Sequence, residues 1–188
     1  MKKLLLFASG TGSNVENIIQ YFKNNATIKI VGVFTNNPIA KVLDIAKKNS
    51  ISTIIFSKEE FNGGLILEKI QDLQPDLIVL AGFLWKMPEQ IVAAYPNKII
   101  NIHPALLPKY GGKGMYGLKV HQNVLDNQEK ETGITIHYVN EHYDEGEFIF
   151  QQKVNIDDCD TPEDIVAKVH ELEHKHFPEI IERLLRLT

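Results

Sequence analysis

Cysteine is almost absent from this 188-residue sequence, which contains only Cys159. A single cysteine cannot close a disulfide within the chain or supply a cysteine metal cluster. The protein therefore has to be stabilised by a hydrophobic core, for which its length and its 44% apolar content are sufficient. Low cysteine content is also typical of a reducing compartment, so we expect a cytoplasmic protein.

Long hydrophobic runs are missing as well, and no apolar segment approaches the ~20 residues of a membrane helix. The N-terminal stretch MKKLLLFASG resembles a signal peptide in placing two lysines before an apolar run. That run is about six residues long, shorter than the roughly 7–15 residues of a signal sequence, and it ends in a glycine-rich turn. We interpret it as a first buried strand and expect no membrane partner.

Basic residues are scattered, and the formal net charge is −4. This pattern lacks the basic face of a nucleic-acid-binding protein, so no nucleic-acid partner is expected. No linker, internal repeat or low-complexity segment divides the chain, and the length favours one domain covering residues 1–188. Composition leaves the choice between a monomer and a homodimer open.

The first half of the sequence alternates continuous apolar runs with amphipathic segments. Helices are expected at about 15–23, 40–49, 65–73 and 88–95, and the last strand of this half is expected to end at Ile100. The five apolar runs read KLLLFAS, KIVGVFTN, STIIFS, PDLIVLAGF and NKIINIHP. This alternation predicts an α/β fold, a Rossmann-like and mostly parallel sheet with helices on both faces.

The second half follows a different pattern. The segment KYGGKGMYG, residues 109–117, contains four glycines and is expected to be a mobile or closely packed loop that can act as a lid. A helix at about 118–127 comes next, and TGITIHYVN and FIFQQKVNI alternate like antiparallel strands around the turn HYDEGE. A long C-terminal helix is expected to begin at Thr161 and to run to about Leu185.

The stretch ASGTGSN joins the first strand to the first helix. Gly10 and Gly12 allow a tight turn that exposes backbone N–H groups, and Ser13 or Asn14 can cap the helix. Together with the positive end of the helix dipole, such a turn can hold a phosphate. The pattern is neither GxGxxG nor a P-loop, so an ordinary strand-to-helix turn is the alternative interpretation.

Asn101 and His103 follow a buried strand, where ligands of open parallel sheets bind. An amide beside an imidazole can stabilise an oxyanion, and a protonated imidazole can also deliver a proton. Asp144, in the turn YDEGEF, is the candidate carboxylate to orient the imidazole and favour its cation. Taken singly, a histidine after a strand is more often structural, and an aspartate before Glu-Gly in a hairpin usually belongs to the turn.

Three histidines crowd the last predicted helix, and two of them, His170 and His174, are four residues apart, which is metal-ligand spacing. No HExxH pattern surrounds them and no third ligand is evident, so we predict a polar helix face and no metal. From the residues alone, Glu173 is a solvated helix acid.

The segments SGTGSN, PDLIVLAGF, NIHPALLPKY, GITIHYV, DEGEFI and ELEH occur in the order and spacing of one family. Over essentially its whole length the chain resembles the phosphoribosylglycinamide formyltransferases, which are folate-dependent formyltransferases. The resemblance implies transfer of a formyl group from 10-formyltetrahydrofolate, as co-substrate, to the amine of glycinamide ribonucleotide in purine synthesis, with no metal. It also implies a ribonucleotide-binding half, residues 1–100, and a catalytic and folate-binding half, residues 101–188.

The resemblance further assigns roles to individual residues. The catalytic trio would be Asn101, His103 and Asp144, with His137 in a supporting role. The expected ribonucleotide contacts are Gly12, Ser13, Asn14 and Glu173. The folate contacts would be Leu84, Trp85, Lys86, Met87 and Asn101.

The sequence departs from the family pattern at two positions where arginines are common. Trp85 and Lys86 follow the AGF segment, and the NGG segment at 62–64 stands before the helix expected at 65–73. Three rival functions were weighed, namely formyltetrahydrofolate hydrolase, methionyl-tRNA formyltransferase and a silent phosphate-binding module. The first two are expected to carry an extra domain, and the third has no need of a catalytic trio.

Overall fold

The computed structural model describes residues 1–187 as seven strands and seven helices. The strands are β1 (Lys2–Phe7), β2 (Ile28–Thr35), β3 (Thr53–Ile55), β4 (Leu77–Leu80), β5 (Ile99–His103), β6 (Glu131–Tyr138) and β7 (Phe148–Asn155). The helices are α1 (Ser13–Phe22), α2 (Val42–Lys48), α3 (Lys58–Asn62), α4 (Leu65–Leu73), α5 (Glu89–Ala94), α6 (Leu118–Asp126) and α7 (Pro162–Leu187).

All seven strands form one sheet in the order β3-β2-β1-β4-β5-β6-β7. Strands β1 to β5 are parallel, whereas β6 pairs antiparallel with β5 and β7 pairs antiparallel with β6. The predicted Rossmann-like α/β fold, with antiparallel strands in the C-terminal part and a long final helix, is confirmed.

Two hydrophobic clusters cover the two faces of the sheet. Along β1, Leu4 and Leu6 belong to one cluster, whereas Leu5 and Phe7 belong to the other, because successive strand side chains point to opposite faces. The first cluster contains buried residues of α1, α2, α6 and α7, and the second contains those of α3, α4 and α5. Helices therefore cover both faces, as the continuous apolar strands predict.

Two local predictions were wrong. Strand β5 does not end at Ile100 but continues to His103, because β6 pairs with it through that residue. Helix α3 was not predicted, although Ser57 and Glu60 form a capping box at its start.

The C-terminal helix begins as predicted. The Thr161 hydroxyl accepts a hydrogen bond from the Asp164 N–H, and the Asp164 carboxylate accepts one from the Thr161 N–H. The helix continues through Pro178 to Leu187, two residues beyond the expected end. Within residues 1–187, no helix is both long enough and apolar enough to span a membrane.

Candidate active site

A cleft of about 600 Å³ opens at the carboxyl ends of β1, β4 and β5. Sheets of this kind bind ligands at that edge, where the loops after the strands meet. Every residue for which a site role was predicted lines this cleft: Gly12, Ser13, Asn14, Leu84, Trp85, Lys86, Met87, Asn101, His103, His137, Asp144 and Glu173. The roles of these residues stay predictions, but the fold brings all of them together.

The loop after β1 reaches the cleft through Gly12, which is the N-cap of α1. Its φ of +79° is in the left-handed region, and an added Cβ would lie 2.8 Å from the Val42 side chain. The predicted capping by Ser13 or Asn14 is wrong, because both residues lie inside the helix and no side chain among the described residues caps it. Its first N–H groups are consequently available to an anion.

Asn14 connects this loop to the last helix. Its Nδ2 donates a hydrogen bond to Glu173 Oε2 at 2.9 Å, and both side chains are buried. His170 Nε2 lies 3.9 Å from the same Glu173 oxygen. Burial raises the pKa of Glu173 to about 7, although the hydrogen bond from Asn14 lowers it. Glu173 is therefore not the solvated acid that its sequence context indicated.

Ser9 fixes the segment after β4 against the segment after β1. Its hydroxyl donates to Asn36 Oδ1 at 2.7 Å and accepts a hydrogen bond from the Leu84 N–H at 3.0 Å. Leu84 and Lys86 are exposed at the mouth of the cleft and Trp85 is half-buried, but Met87 is only 2% exposed. Met87 thus contributes a wall of the cleft and little accessible surface.

A second cavity, of about 320 Å³, shares Trp85, Lys86, Met87 and Tyr143 with the cleft. Lys58, on the unpredicted helix α3, also lines it, and so does Asn62 of the NGG segment. Two lysines accordingly lie near the positions where the sequence departs from the arginines common in the family. Trp85 packs against Phe56, Phe61 and Phe83, with ring centroids 6.1, 6.0 and 6.5 Å away, and the rest of its surface faces the two cavities.

Asn101 and His103 lie on β5 itself, two residues apart, so their side chains point to the same face of the sheet. Asn101 is paired in register with His137 on β6. The Asn101 Nδ2 atom lies 3.2 Å from His137 Nε2, and His137 Nδ1 donates to the Tyr138 carbonyl at 2.8 Å. The contact with Nε2 places the Asn101 amide beside the His137 ring, which its Nδ1 hydrogen bond holds in position.

Asp144 connects these side chains. Its Oδ2 lies 3.5 Å from His103 Nδ1, and its Oδ1 lies 3.5 Å from both His137 Nε2 and Asn101 Nδ2. The closest contact of this carboxylate is the Gly112 N–H, at 2.9 Å from Oδ2. The other three contacts are at the outer limit of a hydrogen bond, which leaves room for a substrate group or a water among them.

The pKa values of this pair reflect competing effects. Burial lowers the pKa of His103 below its ordinary value, whereas the Asp144 charge and the Tyr110 carbonyl raise it. Asp144 therefore acts in the expected direction, but burial outweighs it. Burial raises the pKa of Asp144, yet its contacts with His137, His103 and Gly112 lower it further, so Asp144 is ionised at neutral pH.

Among the residues of the cleft to which the sequence assigned no site role is a buried histidine, His121 on α6, which is 4% exposed. Its position on the helix, next to apolar Val120, is typical of a packed side chain. The predicted histidine pair on α7 is present as two stacked rings, His170 and His174, with centroids 6.0 Å apart. Across residues 1–187 no three His, Cys, Asp or Glu side chains are arranged to hold a metal ion.

The sequence model of the formyl transferase family matches residues 2–181. The chain belongs to the formyl transferase family. A phosphoribosylglycinamide formyltransferase of Bacillus subtilis (strain 168) is 37% identical to this formyl transferase over 194 residues, covering 100% of this chain and 97% of the relative. The chloroplastic phosphoribosylglycinamide formyltransferase of Arabidopsis thaliana is 38% identical, covering 96% of this chain. The chain spans 64% of the length of that plant relative.

Solved structures of the family share the fold. The phosphoribosylglycinamide formyltransferase of Coxiella burnetii superposes with a TM-score of 0.86 at 36% identity, covering 98% of this formyl transferase and 85% of that chain. The phosphoribosylglycinamide formyltransferase of Anaplasma phagocytophilum superposes with a TM-score of 0.89 at 30% identity. The match covers 98% of this formyl transferase and 87% of that chain.

Proposed function

We propose that the protein transfers the formyl group of 10-formyltetrahydrofolate to the amine of glycinamide ribonucleotide, as a phosphoribosylglycinamide formyltransferase of purine biosynthesis. The observation that carries this proposal is the junction of Asn101, His103 and Asp144 in a cleft that the N-terminus of α1 also lines. Family membership, with relatives of that name at 37–38% identity, supports it.

The trio suits attack of an amine on a formamide carbon. The carbonyl oxygen gains negative charge as the new C–N bond forms, and donors placed at that oxygen lower the barrier. Asn101 and a protonated His103 can each supply an N–H, through Nδ2 and Nδ1, by turning it from the 3.5 Å contact with Asp144 to that oxygen. Although burial lowers the pKa of His103, the charge of the oxyanion favours the imidazolium as the bond forms.

Asp144 has two roles in this scheme. Its carboxylate supports the His103 cation, and with its remaining hydrogen-bonding capacity it can hold a water. Such a water can accept a proton from the attacking nitrogen and pass one to the nitrogen of the departing tetrahydrofolate. The protein thereby moves protons between the two substrates with no covalent intermediate on its own side chains.

The two ends of the cleft fit the two substrates. The uncapped start of α1 at Gly12 to Asn14 provides backbone donors for the ribonucleotide phosphate, and Glu173 provides a carboxylate for the glycinamide portion. At the opposite end, the half-buried Trp85 offers a ring to the pterin. Lys58 and Lys86, beside the second cavity, offer positive charge to the glutamate tail of the folate.

The deciding experiment mixes the purified protein with 10-formyltetrahydrofolate and follows the absorbance of the deformylated folate, with and without glycinamide ribonucleotide. Turnover that requires the ribonucleotide is the expected result. Turnover without it would identify a hydrolase, and no turnover in either mixture would leave a binding module. The cytoplasmic location, the absence of a metal and the choice between monomer and homodimer stay predictions.

A further inference from the structure

Three buried side-chain atoms in residues 1–187 lack a hydrogen-bond partner, and two of them belong to residues that line the cleft. These two are Asn14 Oδ1 and His121 Nδ1, whereas Thr132 Oγ1 belongs to a residue outside the cleft lining. A buried polar group without a partner destabilises a fold, so native proteins retain few of them. Asn14 already has an expected role in ribonucleotide binding, but His121 has none.

His121 makes no hydrogen bond to any described residue through either ring nitrogen. Its Nδ1 is completely enclosed, whereas its Nε2 is not among the enclosed atoms and belongs to a ring that lines the cleft. The side chain is thus held by packing on α6 with one nitrogen directed away from solvent and the other available to a ligand. A histidine needed only for packing would be replaced at no cost in hydrogen bonding by an apolar residue of similar size.

The surroundings of His121 determine what it can bind. Burial, together with the charges of His170 and His103, lowers its pKa to about 4, so the ring is neutral at physiological pH. Both neighbouring histidines also line the cleft, where His103 belongs to the reactive centre and His170 lies 3.9 Å from Glu173 Oε2. A neutral imidazole has no charge to attract a phosphate, and its donor and acceptor nitrogens match the uncharged hydroxyl and amide groups of a substrate.

We propose that His121 is a further substrate-positioning residue, which hydrogen-bonds through Nε2 to an uncharged polar group of the ribonucleotide. This inference rests on the proposed function, because it takes the ribonucleotide as the occupant of the cleft between the α1 N-terminus and His103. The group is either a ribose hydroxyl or the amide of the glycinamide, since both stand between the phosphate and the reacting amine.

Three substitutions test the proposal. His121→Leu removes both ring nitrogens, His121→Gln keeps a polar group near the position of Nε2, and His121→Asn keeps one near the enclosed Nδ1. We expect His121→Leu and His121→Asn to raise the Kd for glycinamide ribonucleotide about 10-fold in calorimetric titrations, and His121→Gln to restore most of the affinity. The KM for the ribonucleotide should rise in parallel, while kcat changes less than about threefold.

Thermal unfolding separates this role from a structural one. Because His121 leaves a buried nitrogen unpaired, His121→Leu should keep or raise the Tm of the free protein while it weakens binding. His174→Leu is the matched control, since His174 is exposed on α7 and lies outside the cleft lining. It should leave both Kd and KM unchanged.

Titration with D-ribose 5-phosphate, which lacks the glycinamide, identifies the group that is bound. If His121→Leu weakens both ligands, the partner is a hydroxyl, and if it weakens only the ribonucleotide, the partner is the amide. Unchanged affinity for both ligands, or a Tm lowered by several degrees with affinity restored in no variant, would overturn the inference while parent turnover still upheld the proposed function. A parent protein that neither binds nor turns over the ribonucleotide would refute both.

Discussion

The carbonyl oxygen of Tyr110 lies 2.7 Å from His103 Nε2 and accepts its hydrogen bond. Two residues further on, the N–H of Gly112 donates to Asp144 at 2.9 Å. The glycine-rich loop therefore contacts both members of the His103–Asp144 pair through its backbone. Because Tyr110 O and Asp144 are both acceptors, only the imidazolium form of His103 can donate to both at once. Loop conformation and the ionisation of His103 are thus linked.

Replacing His103 by alanine should abolish formyl transfer. The substitution removes the imidazolium donor, and loss of one such donor typically costs ~3–4 kcal/mol, or about 10²–10³ in rate. Ribonucleotide affinity should remain nearly intact, because its proposed contacts are the α1 N-terminus and Glu173, neither of which the substitution changes. Steady-state turnover and calorimetric titration measure the two quantities. A folded His103→Ala protein with parental activity would show that His103 is not part of the machinery.

Asp144→Asn should shift the pH profile as well as the rate. The Asp144 carboxylate raises the pKa of His103 against the effect of burial, so its removal lowers that pKa further. Since the proposed chemistry uses protonated His103, the alkaline limb of the kcat profile should move to lower pH, with a loss of about 100-fold at pH 8. The matched control is Glu145→Gln, in the same turn but exposed. An unshifted limb in Asp144→Asn would contradict the pairing.

Two glycines of the loop after β1, Gly10 and Gly12, allow a test of the proposed phosphate site. Gly12→Ala would force a Cβ into Val42 and place a side chain at φ +79°, so we expect a destabilisation of about 1–3 kcal/mol. Ribonucleotide Kd should rise at least about 10-fold, because the start of α1 shifts. Gly10→Ala is the control, since its added Cβ meets no atom within 4 Å and its φ is not positive. Equal effects of the two substitutions on stability and on the ribonucleotide Kd would contradict a specific requirement for glycine at position 12.

The hydrophobic pattern and local capping residues predicted those element bounds that do not depend on pairing between strands. Helix α4 was predicted at its observed bounds, and the Thr161 cap of α7 was correct. The end of β5 was missed because pairing with β6, distant in sequence, extends it to His103. Long-range pairing of this kind leaves no local signal in the strand itself.

The candidate site was predictable for a different reason. Asn101, His103 and Asp144 stand out as polar residues beside apolar runs, and the family resemblance connected them. Glu173 could not be recognised as buried from its helix alone, because the burial results from its contact with Asn14, 159 residues earlier. His121 was missed because a buried histidine on an apolar helix face has the same pattern as a structural one.

Trp85 gives an optical test of the folate end, since it is the sole tryptophan of the chain. It lines both cavities and is half-buried against Phe56 and Phe83. Tetrahydrofolate stacked near this ring should quench its emission saturably, whereas D-ribose 5-phosphate should not. Free tryptophan titrated in parallel corrects for absorption by the folate. A linear decrease identical to that of free tryptophan would place the pterin away from Trp85.

Because its pKa is raised, Glu173 should make the protein less stable as pH rises, whereas a salt-bridged acid makes a protein more stable. Its folded pKa is raised to about 7 from a reference value of 4.5. Between these two pH values the folded state binds more protons than the unfolded state, so the free energy of unfolding falls as pH rises. The contribution of Glu173 is fully present below about pH 4.5 and is lost above about pH 7, a change of about 3 kcal/mol.

Glu173→Gln removes this titration and keeps an oxygen that accepts the Asn14 hydrogen bond. The difference in unfolding free energy between the variant and the parent should therefore shift in favour of the variant between pH 4 and pH 8, by up to about 3 kcal/mol. Urea unfolding at several pH values measures it. Glu171→Gln, at an exposed position on the same helix, should show no such change. If both variants follow the parent at every pH, the pKa of Glu173 is the same in the folded and unfolded states, and its burial does not hold it neutral.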